Sequence, residues 1–458
     1  MMQEDTAPAG AEGDVNSSPN RATWAADYIE PEARALLDRD EAAFLHQSVS
    51  TPCLSVIKKA EGIWIEDASG RRYMDFHGNN VHHIGYGHPR LIEAVTKQMA
   101  DLPFAPRRFT CEPAVTLAEK LGAITPGDLS KVLFATGGSD AVEIALKIAR
   151  MKTGRFKTLS FWDAFHGAGF GASSVGGEEM FRGGRHGPLL PGTEHVPPFG
   201  DYRNAWGVRE GSAEICANQI RYILEKEGDI GAFIAEPTRA VPYIPDPGFW
   251  QAVRQACDDH GTLLIFDEIP TGLGKTGRMF SCEYEGVVPD ILLLGKALGG
   301  GMLPISAVVA KPELDVTGDY AIGHYTHEKN PVTTRAALTT IEIIEEEGLV
   351  EHAAELGGYA LERLREMRQR HALIGDVRGR GFLFGVELVM DRDSRAPAGE
   401  AADQVLYAAL AKGLSFKTTM GNVLTFTPSL VTSQSEMDLA LDIIEASLGE
   451  VGQRLGFH

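Results

Sequence analysis

Lys296 leaves an apolar run, Ile291-Leu292-Leu293-Leu294, and enters the glycine loop Gly295-Lys296-Ala297-Leu298-Gly299-Gly300-Gly301. Twenty-nine residues before that lysine, a second apolar run, Thr262-Leu263-Leu264-Ile265-Phe266, ends in Asp267-Glu268-Ile269. A third, Val132-Leu133-Phe134, leads through Ala135-Thr136-Gly137-Gly138-Ser139-Asp140 into a helical pattern. Singly, each has an ordinary explanation. An Asp at a strand end usually caps a helix or pairs with a cation, and a Lys before glycines usually sits in a solvated loop. Together they describe one chemistry. A lysine at the end of an apolar strand is expected to be partly desolvated, which lowers its pKa and suits Schiff-base formation with an aldehyde. A carboxylate at a neighbouring strand end keeps a pyridine nitrogen protonated, making the ring an electron sink. The Gly-Gly-Ser turn at a helix N-terminus offers N–H groups and the positive end of a dipole to a phosphate. Aldehyde, protonated pyridine and phosphate together specify pyridoxal 5'-phosphate.

Competing motifs fail on their context. Gly272-Leu273-Gly274-Lys275-Thr276-Gly277 has the G-x-G-x-x-G spacing, but no helical pattern follows and Pro270 interrupts the strand exit, so a turn is expected. It is not a phosphate-binding P-loop either, because position 269 is Ile. His77, His82, His83 and His88 match no zinc-ligand spacing, and no metal is expected. Ser139 lacks the G-x-S-x-G elbow of a hydrolase nucleophile.

The elements that must position these groups follow from hydropathy patterning. Short apolar runs, including Thr158-Leu159-Ser160-Phe161 and Ala232-Phe233-Ile234-Ala235, alternate with helical stretches such as 141–151 and 249–260. Most runs are unbroken, as parallel strands covered on both faces should be. The expected fold class is therefore α/β, a mostly parallel central sheet flanked by helices, with the ligand at the carboxyl ends of its strands. Residues 291–310 hold one charge, four glycines and Pro304, so they read as two buried strands joined by a glycine loop rather than a membrane span. Residues 62–76 read as a hairpin turning at Ser69-Gly70, and 30–48 as a helix. Helices are expected from 335 to 347 and through the 350s and 360s, then a strand pair near 382–389 and a closing helix. The domain boundaries expected are a disordered tail over 1–20, a large cofactor domain over 86–334, and a smaller α+β domain from 21–85 with 335–458.

With 43 Lys and Arg against 63 Asp and Glu, the formal net charge of −20 excludes broad binding to nucleic acid or anionic membranes. It leaves room for a small anion held by a local cluster of Arg or Lys. Hydrophobic residues make up 43%, enough for a sizeable core. Five scattered cysteines without a C-x-x-C fit a reduced, cytoplasmic compartment, and the polar first twenty residues read as no secretory signal.

From about residue 48 to 450 the chain resembles the class III aminotransferases, fold type I pyridoxal-phosphate enzymes. Asp267-Glu268-Ile269 with Gly272 to Gly277 is similar to the family's D-E-V-Q-x-G-x-G-R-T-G run. The resemblance implies that Asp267 is the pyridinium partner, Ile269 a cofactor neighbour and Lys296 the Schiff-base lysine. Phe165-His166-Gly167 matches an aromatic-His-Gly whose ring stacks on the cofactor; Gly138 and Ser139 match the phosphate turn, and Glu236 an active-site glutamate. Thr326 matches a threonine that reaches the phosphate of the neighbouring subunit, which implies a homodimer with shared active sites. Three departures matter. Pro270 stands where the family has the Gln that touches the ring hydroxyl, Thr326-His327-Glu328-Lys329-Asn330-Pro331 replaces T-F-G-G-N-P, and Asn422-Val423-Leu424-Thr425-Phe426 lacks the Arg that clamps an α-carboxylate. The segments Phe76 to His83 and His324 to Lys329 look closer to a branch that handles aminophosphonates and phosphorylated amines. That implies a small anionic amine substrate and an ammonia-lyase acting on a β-hydroxy aminophosphonate. The alternative is a transaminase passing the amine to pyruvate or 2-oxoglutarate; a cofactor-binding protein without catalysis fits poorly with an intact Lys296 and Asp267. Arg239, then Arg107 or Arg108, with Lys329 as a fourth cation, are expected to meet the anionic end.

Overall fold

The computed structural model describes residues 18–200 and 202–457. They gather into two compact units: Pro89–Glu351, and the described residues up to His88 together with those from His352 onward. The tail expected over 1–20 lies outside the described residues as far as 17. Its last three residues are ordered, a correction with a visible cause: Ser18 Oγ accepts from the N–H groups of Asn20 and Arg21 and caps the helix Pro19–Tyr28. The expected helix over 30–48 is shorter, Pro31–Ala43. After it come β1 (Ile57–Glu61), β2 (Trp64–Asp67) and β3 (Arg72–Asp75), an antiparallel run whose β2–β3 turn is wrapped on Asp67, the Oδ1 of which accepts from Ser69 N and Arg71 N.

The larger unit is built on seven strands: β4 (Lys131–Ala135), β5 (Lys157–Phe161), β6 (Thr193–Val196), β7 (Ile230–Ala235), β8 (Leu263–Asp267), β9 (Ile291–Leu294) and β10 (Ser306–Ala310). Their order is β4-β10-β9-β8-β7-β5-β6. Every pair from β9 to β6 is parallel, while β10 runs antiparallel to both β9 and β4. Residues 291–310 are thus β9, a glycine turn and β10, all but a few of them buried. Every residue of β7, β9 and β10 is buried, which is why their sequences are unbroken apolar runs. The helix Gly138–Thr153 packs its Ala141, Val142, Ala145, Ile148 and Ala149 face on this sheet. Trp250, on the helix Phe249–His260, meets the rings of Phe233 and Phe266 and donates Nε1–H to Pro237 O at 2.8 Å. That bond fixes the chain just where β7 delivers Glu236. The helix Pro331–Glu346 starts four residues before the expected 335, because Asn330 caps it by accepting from Val332 N and Thr333 N with Pro331 at the first position. It packs on the helices Pro89–Asp101 and Glu112–Ile124, so it joins the larger unit and moves the second boundary from the expected 334 to 351.

The other unit continues with β11 (Ile374–Arg380), β12 (Leu383–Asp391), β13 (Ala396–Pro397), β14 (Leu414–Ser415), β15 (Lys417–Thr419) and β16 (Val423–Phe426). The sheet β11-β12-β16-β15 is antiparallel, and β14 adds to β3 in parallel. Thr425 is fully buried on β16, its Oγ1 2.8 Å from Thr419 Oγ1. Asp75 organises the histidine-rich turn: its carboxylate accepts from His77 N, Gly78 N and the Tyr86 hydroxyl, and its carbonyl meets His82 Nε2 at 2.9 Å. Among the described residues no group of three or more His, Cys, Asp or Glu is arranged to hold a metal ion. No helix among them is long and apolar enough to cross a membrane.

Asp290 pins the start of the two strands that carry the key residues. Its carboxylate lies 2.8 Å from Arg254 Nη1 and 2.9 Å from Lys311 Nζ, and accepts from Leu264 N at 2.8 Å. Burial pushes this carboxyl up, but Arg254, Leu264 N–H and Lys311 outweigh burial and hold it below the ordinary range. A depressed carboxyl contributes stability above its unfolded pKa of about 3.9 and loses it as pH falls through the folded value. Asp290→Asn is therefore expected to cost roughly 3 kcal/mol at pH 7, since it takes the buried carboxylate from both Lys311 and Arg254 and leaves Arg254 with the more exposed Asp258. In thermal melts the gap to the parent protein closes as the pH is taken below about 4. Equal melting temperatures at pH 7 would remove Asp290 from this role.

Candidate active site

Parallel pairing sets three strand ends side by side. Ala235 of β7 pairs with Phe266 of β8, and Asp267 with Leu293 of β9, so Glu236, Asp267 and Lys296 emerge at the same, carboxyl, edge of the sheet. Asp267 is 2% exposed. Its Oδ2 accepts from His166 Nδ1 at 2.8 Å and its Oδ1 from Ile269 N at 3.1 Å. The other ring nitrogen of His166 is buried and has no hydrogen-bond partner among the described residues. Glu236 Oε2 accepts from Ala240 N at 2.5 Å. Burial first, and then the charge of Asp267, raise its pKa.

Lys296 departs from expectation in one respect. The partial desolvation argued from its apolar strand is not met: the residue is exposed, while Gly295, Ala297, Leu298 and Gly299 around it are buried. The cause is the backbone. Gly295 is extended and Lys296 itself sits at φ +44°, at the head of the short turn Lys296–Gly299, so its side chain is turned off the buried row. A non-glycine residue at positive φ is a strained position that the surrounding packing has to hold.

The turn expected to hold a phosphate lies at the N-terminus of the helix Gly138–Thr153, where Gly137 supplies no side-chain cap. Ser306 Oγ donates to Gly137 O at 2.8 Å, and Ser139 Oγ accepts from Ala168 N at 2.9 Å. Gly167 makes that approach feasible. It sits at φ +128°, and a Cβ there would lie 2.5 Å from Ser139 Oγ and 2.8 Å from Ser139 Cα. Ile269 bridges the two loops: a Cβ on Gly138 would be 3.0 Å from its Cδ1, and one on Gly295 3.3 Å from its Cγ2. Gly138, Ser139, Phe165, His166, Asp267 and Ile269 are thus brought together within one unit. Phe165 lays its ring 4.3 Å from that of Phe181. Thr326 is exposed, next to Tyr325, whose hydroxyl is pushed up to about 12 by burial and its hydrogen bond to Asp140. Gly272 to Gly277 is a run of turns, as expected.

The expected cations are placed differently from one another. Arg239 is buried; its Nη2 donates to Asp163 O at 2.6 Å and its guanidinium lies over the Tyr243 ring. Arg107 is exposed and tied to its own chain, donating to Tyr325 O at 2.8 Å with Glu328 Oε1 3.5 Å away. Arg108 and Lys329 are exposed. The bond from Arg239 to the turn at Asp163 has no sequence signature, because it spans 76 residues and depends on Asp163 at φ +60°. Glu268, beside Asp267, is also buried and accepts from Ser281 N and Cys282 N. Burial outweighs those bonds and pushes it up to about 7.

The family profile described as Aminotransferase class-III matches residues 46–448. The chain belongs to the class III aminotransferases. It is 46% identical over 457 residues to the (R)-1-hydroxy-2-aminoethylphosphonate ammonia-lyase of Vibrio splendidus (strain 12B01), covering 96% of this chain and 95% of that one. To the alanine/serine racemase of Pyrococcus horikoshii it is 33% identical, covering 91% and 90%. Among solved structures, an amine transaminase from an uncultivated Pseudomonas species in its PLP-bound form is similar with a TM-score of 0.83 at 31% identity, covering 90% of this chain and 99% of that one. Pyridoxal 5'-phosphate is the cofactor of class III aminotransferases, and the residues here fit it. A buried carboxylate backed by a histidine stands at one strand end and an exposed lysine at the next. An uncapped sixteen-residue helix offers its N-terminal N–H groups beside them.

Proposed function

We propose that this class III aminotransferase is a pyridoxal-phosphate-dependent ammonia-lyase acting on a small β-hydroxy aminophosphonate, (R)-1-hydroxy-2-aminoethylphosphonate, and releasing phosphonoacetaldehyde and ammonia. The observation that carries the reading is 46% identity over 96% of the chain to a lyase of that name. The transaminase relatives, such as a 34% identical ornithine aminotransferase of Bacillus cereus, are more distant. When bound, pyridoxal phosphate supplies an electron sink for the charge left on the amine-bearing carbon. The chain's own residues do the rest. Lys296 holds the cofactor and takes the proton from that carbon through Nζ. Asp267, oriented by His166, keeps a proton on the pyridine nitrogen. Gly138, Ser139 and the helix N-terminus would hold its phosphate, with Phe165 as a further cofactor neighbour. The hydroxyl on the neighbouring carbon leaves, and water converts the resulting unsaturated amine to aldehyde and ammonia.

The test is product analysis with the hydroxyaminophosphonate and no oxo acid. Ammonia and phosphonoacetaldehyde accumulating over many turnovers support the lyase. Strict dependence on pyruvate or 2-oxoglutarate overturns it in favour of a transaminase. The reading places the enzyme in phosphonate catabolism in the cytoplasm, as a homodimer in which Thr326, exposed beside the anchored Tyr325, serves the partner's phosphate. Mixing an inactive Thr326 variant with an inactive Lys296 variant is then expected to restore activity, since hybrid dimers carry one unmutated site. No recovery after subunit exchange confirmed by mass spectrometry would refute the shared site.

A further inference from the structure

Loss of a hydroxyl makes a demand that Lys296 and Asp267 leave open. As Lys296 Nζ takes the proton from the amine-bearing carbon, the C–H electron pair becomes the new C=C bond and the C–O bond breaks. Hydroxide is a poor leaving group, so the departing oxygen needs a proton from an acid placed to give it. Three carboxyls stand at the ends of β7 and β8. Asp267 accepts on Oδ2 from His166 Nδ1 and on Oδ1 from Ile269 N. Glu268 accepts on Oε2 from Ser281 N and on Oε1 from Cys282 N. Both oxygens of each are thus engaged. Glu236 is placed otherwise. It is half-buried, and among the described residues its carboxyl makes one hydrogen bond, from Ala240 N to Oε2, which leaves Oε1 unengaged.

The position of Glu236 is set by the sheet. It follows Ala235, whose partner on β8 is Phe266, so it leaves β7 beside Asp267, and β8 in turn lies beside the strand that delivers Lys296. The chain just beyond it is tied twice: Pro237 O accepts from Trp250 Nε1 at 2.8 Å, and Thr238 Oγ1 from Ser281 Oγ at 2.7 Å. The charged groups acting on its carboxyl are Asp267, His166 and Arg239. Burial and Asp267 outweigh His166, the Ala240 N–H and Arg239, and so favour the neutral form, the one with a proton to give. Adjacent carboxyls whose surroundings push their titrations apart can divide the acid and base roles.

We propose that Glu236 gives its proton to the departing hydroxyl of the substrate, which leaves as water. The inference rests on the lyase reading. The carboxylate left behind regains a proton from solvent on its exposed side. The test compares cofactor-loaded parent protein with Glu236→Gln, whose amide oxygen can still accept from Ala240 N. Two substrates are used: the hydroxyaminophosphonate, and 1-chloro-2-aminoethylphosphonate, whose chloride departs without a proton and which yields the same aldehyde and ammonia. The variant should keep the absorbance of lysine-bound cofactor and lower kcat for the hydroxy substrate roughly 10²- to 10³-fold. The ratio of the hydroxy to the chloro rate should fall by a factor on the order of 10². Without any substrate, the infrared difference between parent and variant at the assay pH should contain the band of a neutral carboxyl. An unchanged hydroxy rate, equal losses for the two substrates, or the bands of an ionised carboxylate in that difference would each overturn the inference while leaving the lyase reading in place. A parent protein inert toward the hydroxyaminophosphonate defeats the lyase reading, and the inference with it.

Discussion

Lys296→Ala is expected to abolish both the visible absorbance of lysine-bound cofactor and turnover, the latter by at least about 10³-fold. Both losses would trace to one atom, because in the proposed function Nζ attaches the cofactor and also moves the substrate proton. The backbone argues that the effect will be chemical rather than structural. Lys296 is exposed, and the turn it heads is held by the buried Ala297, Leu298 and Gly299. Removing its side chain therefore empties no core. Alanine tolerates φ +44° about as poorly as lysine, so the strain at this position is unchanged. The cofactor should still bind weakly and without covalent attachment, through the phosphate turn at Gly138 and Ser139. Lys296→Arg separates charge from nucleophilicity: it keeps the cation and is expected to be as inactive as the alanine variant. Absorbance spectra with continuous ammonia detection check both variants. A Lys296→Ala protein that works at the parent rate would mean that the cofactor assignment is wrong.

What the sequence made legible follows burial. β7, β9 and β10 are buried on both faces, and their apolar runs announced them. β6 went unread because Thr193, Glu194 and His195 are half-exposed and only Val196 is buried; its place comes from pairing with β5 at the sheet edge. The helix Pro331–Glu346 did carry its start signal, Asn330-Pro331, but the apolar periodicity that suggested 335 takes hold a turn later. The tail ended sooner than composition implied, because Ser18-Pro19 is a helix start that a polar, Gly- and Pro-containing stretch disguises. For the site, residue types were readable and partners were not. His166 lies 101 residues from Asp267, and Arg239 lies 76 from Asp163. Neither bond has a local pattern, since each exists only after parallel strands have aligned their ends. The exposure of Lys296 was hidden for the same reason, being a property of the turn after β9 rather than of its neighbours in sequence.

Asp267→Asn is expected to leave cofactor attached to Lys296 and the fold intact while lowering kcat roughly 10³-fold, about 4 kcal/mol of transition-state stabilisation. The amide has the size of the carboxyl. Its oxygen can still accept from Ile269 N or from His166 Nδ1, the two bonds that Asp267 now satisfies at 3.1 and 2.8 Å. What it lacks is the negative charge that keeps a proton on a pyridine nitrogen, and without that proton the ring absorbs the carbanion's charge poorly. Buried at 2% exposure, the site has little water to substitute for the lost charge. A second readout is independent of catalysis. After burial, the charge of Asp267 is the next contribution holding the carboxyl of Glu236 above its ordinary range. In Asp267→Asn that contribution disappears, so Glu236 should ionise at lower pH than in the parent, followed through its carboxyl stretching band in an infrared pH titration. Normal turnover would remove Asp267 from its role with the pyridine nitrogen. Lost turnover with an unmoved Glu236 titration would show that the two carboxyls do not share the field that their strand ends, β7 and β8 side by side, imply.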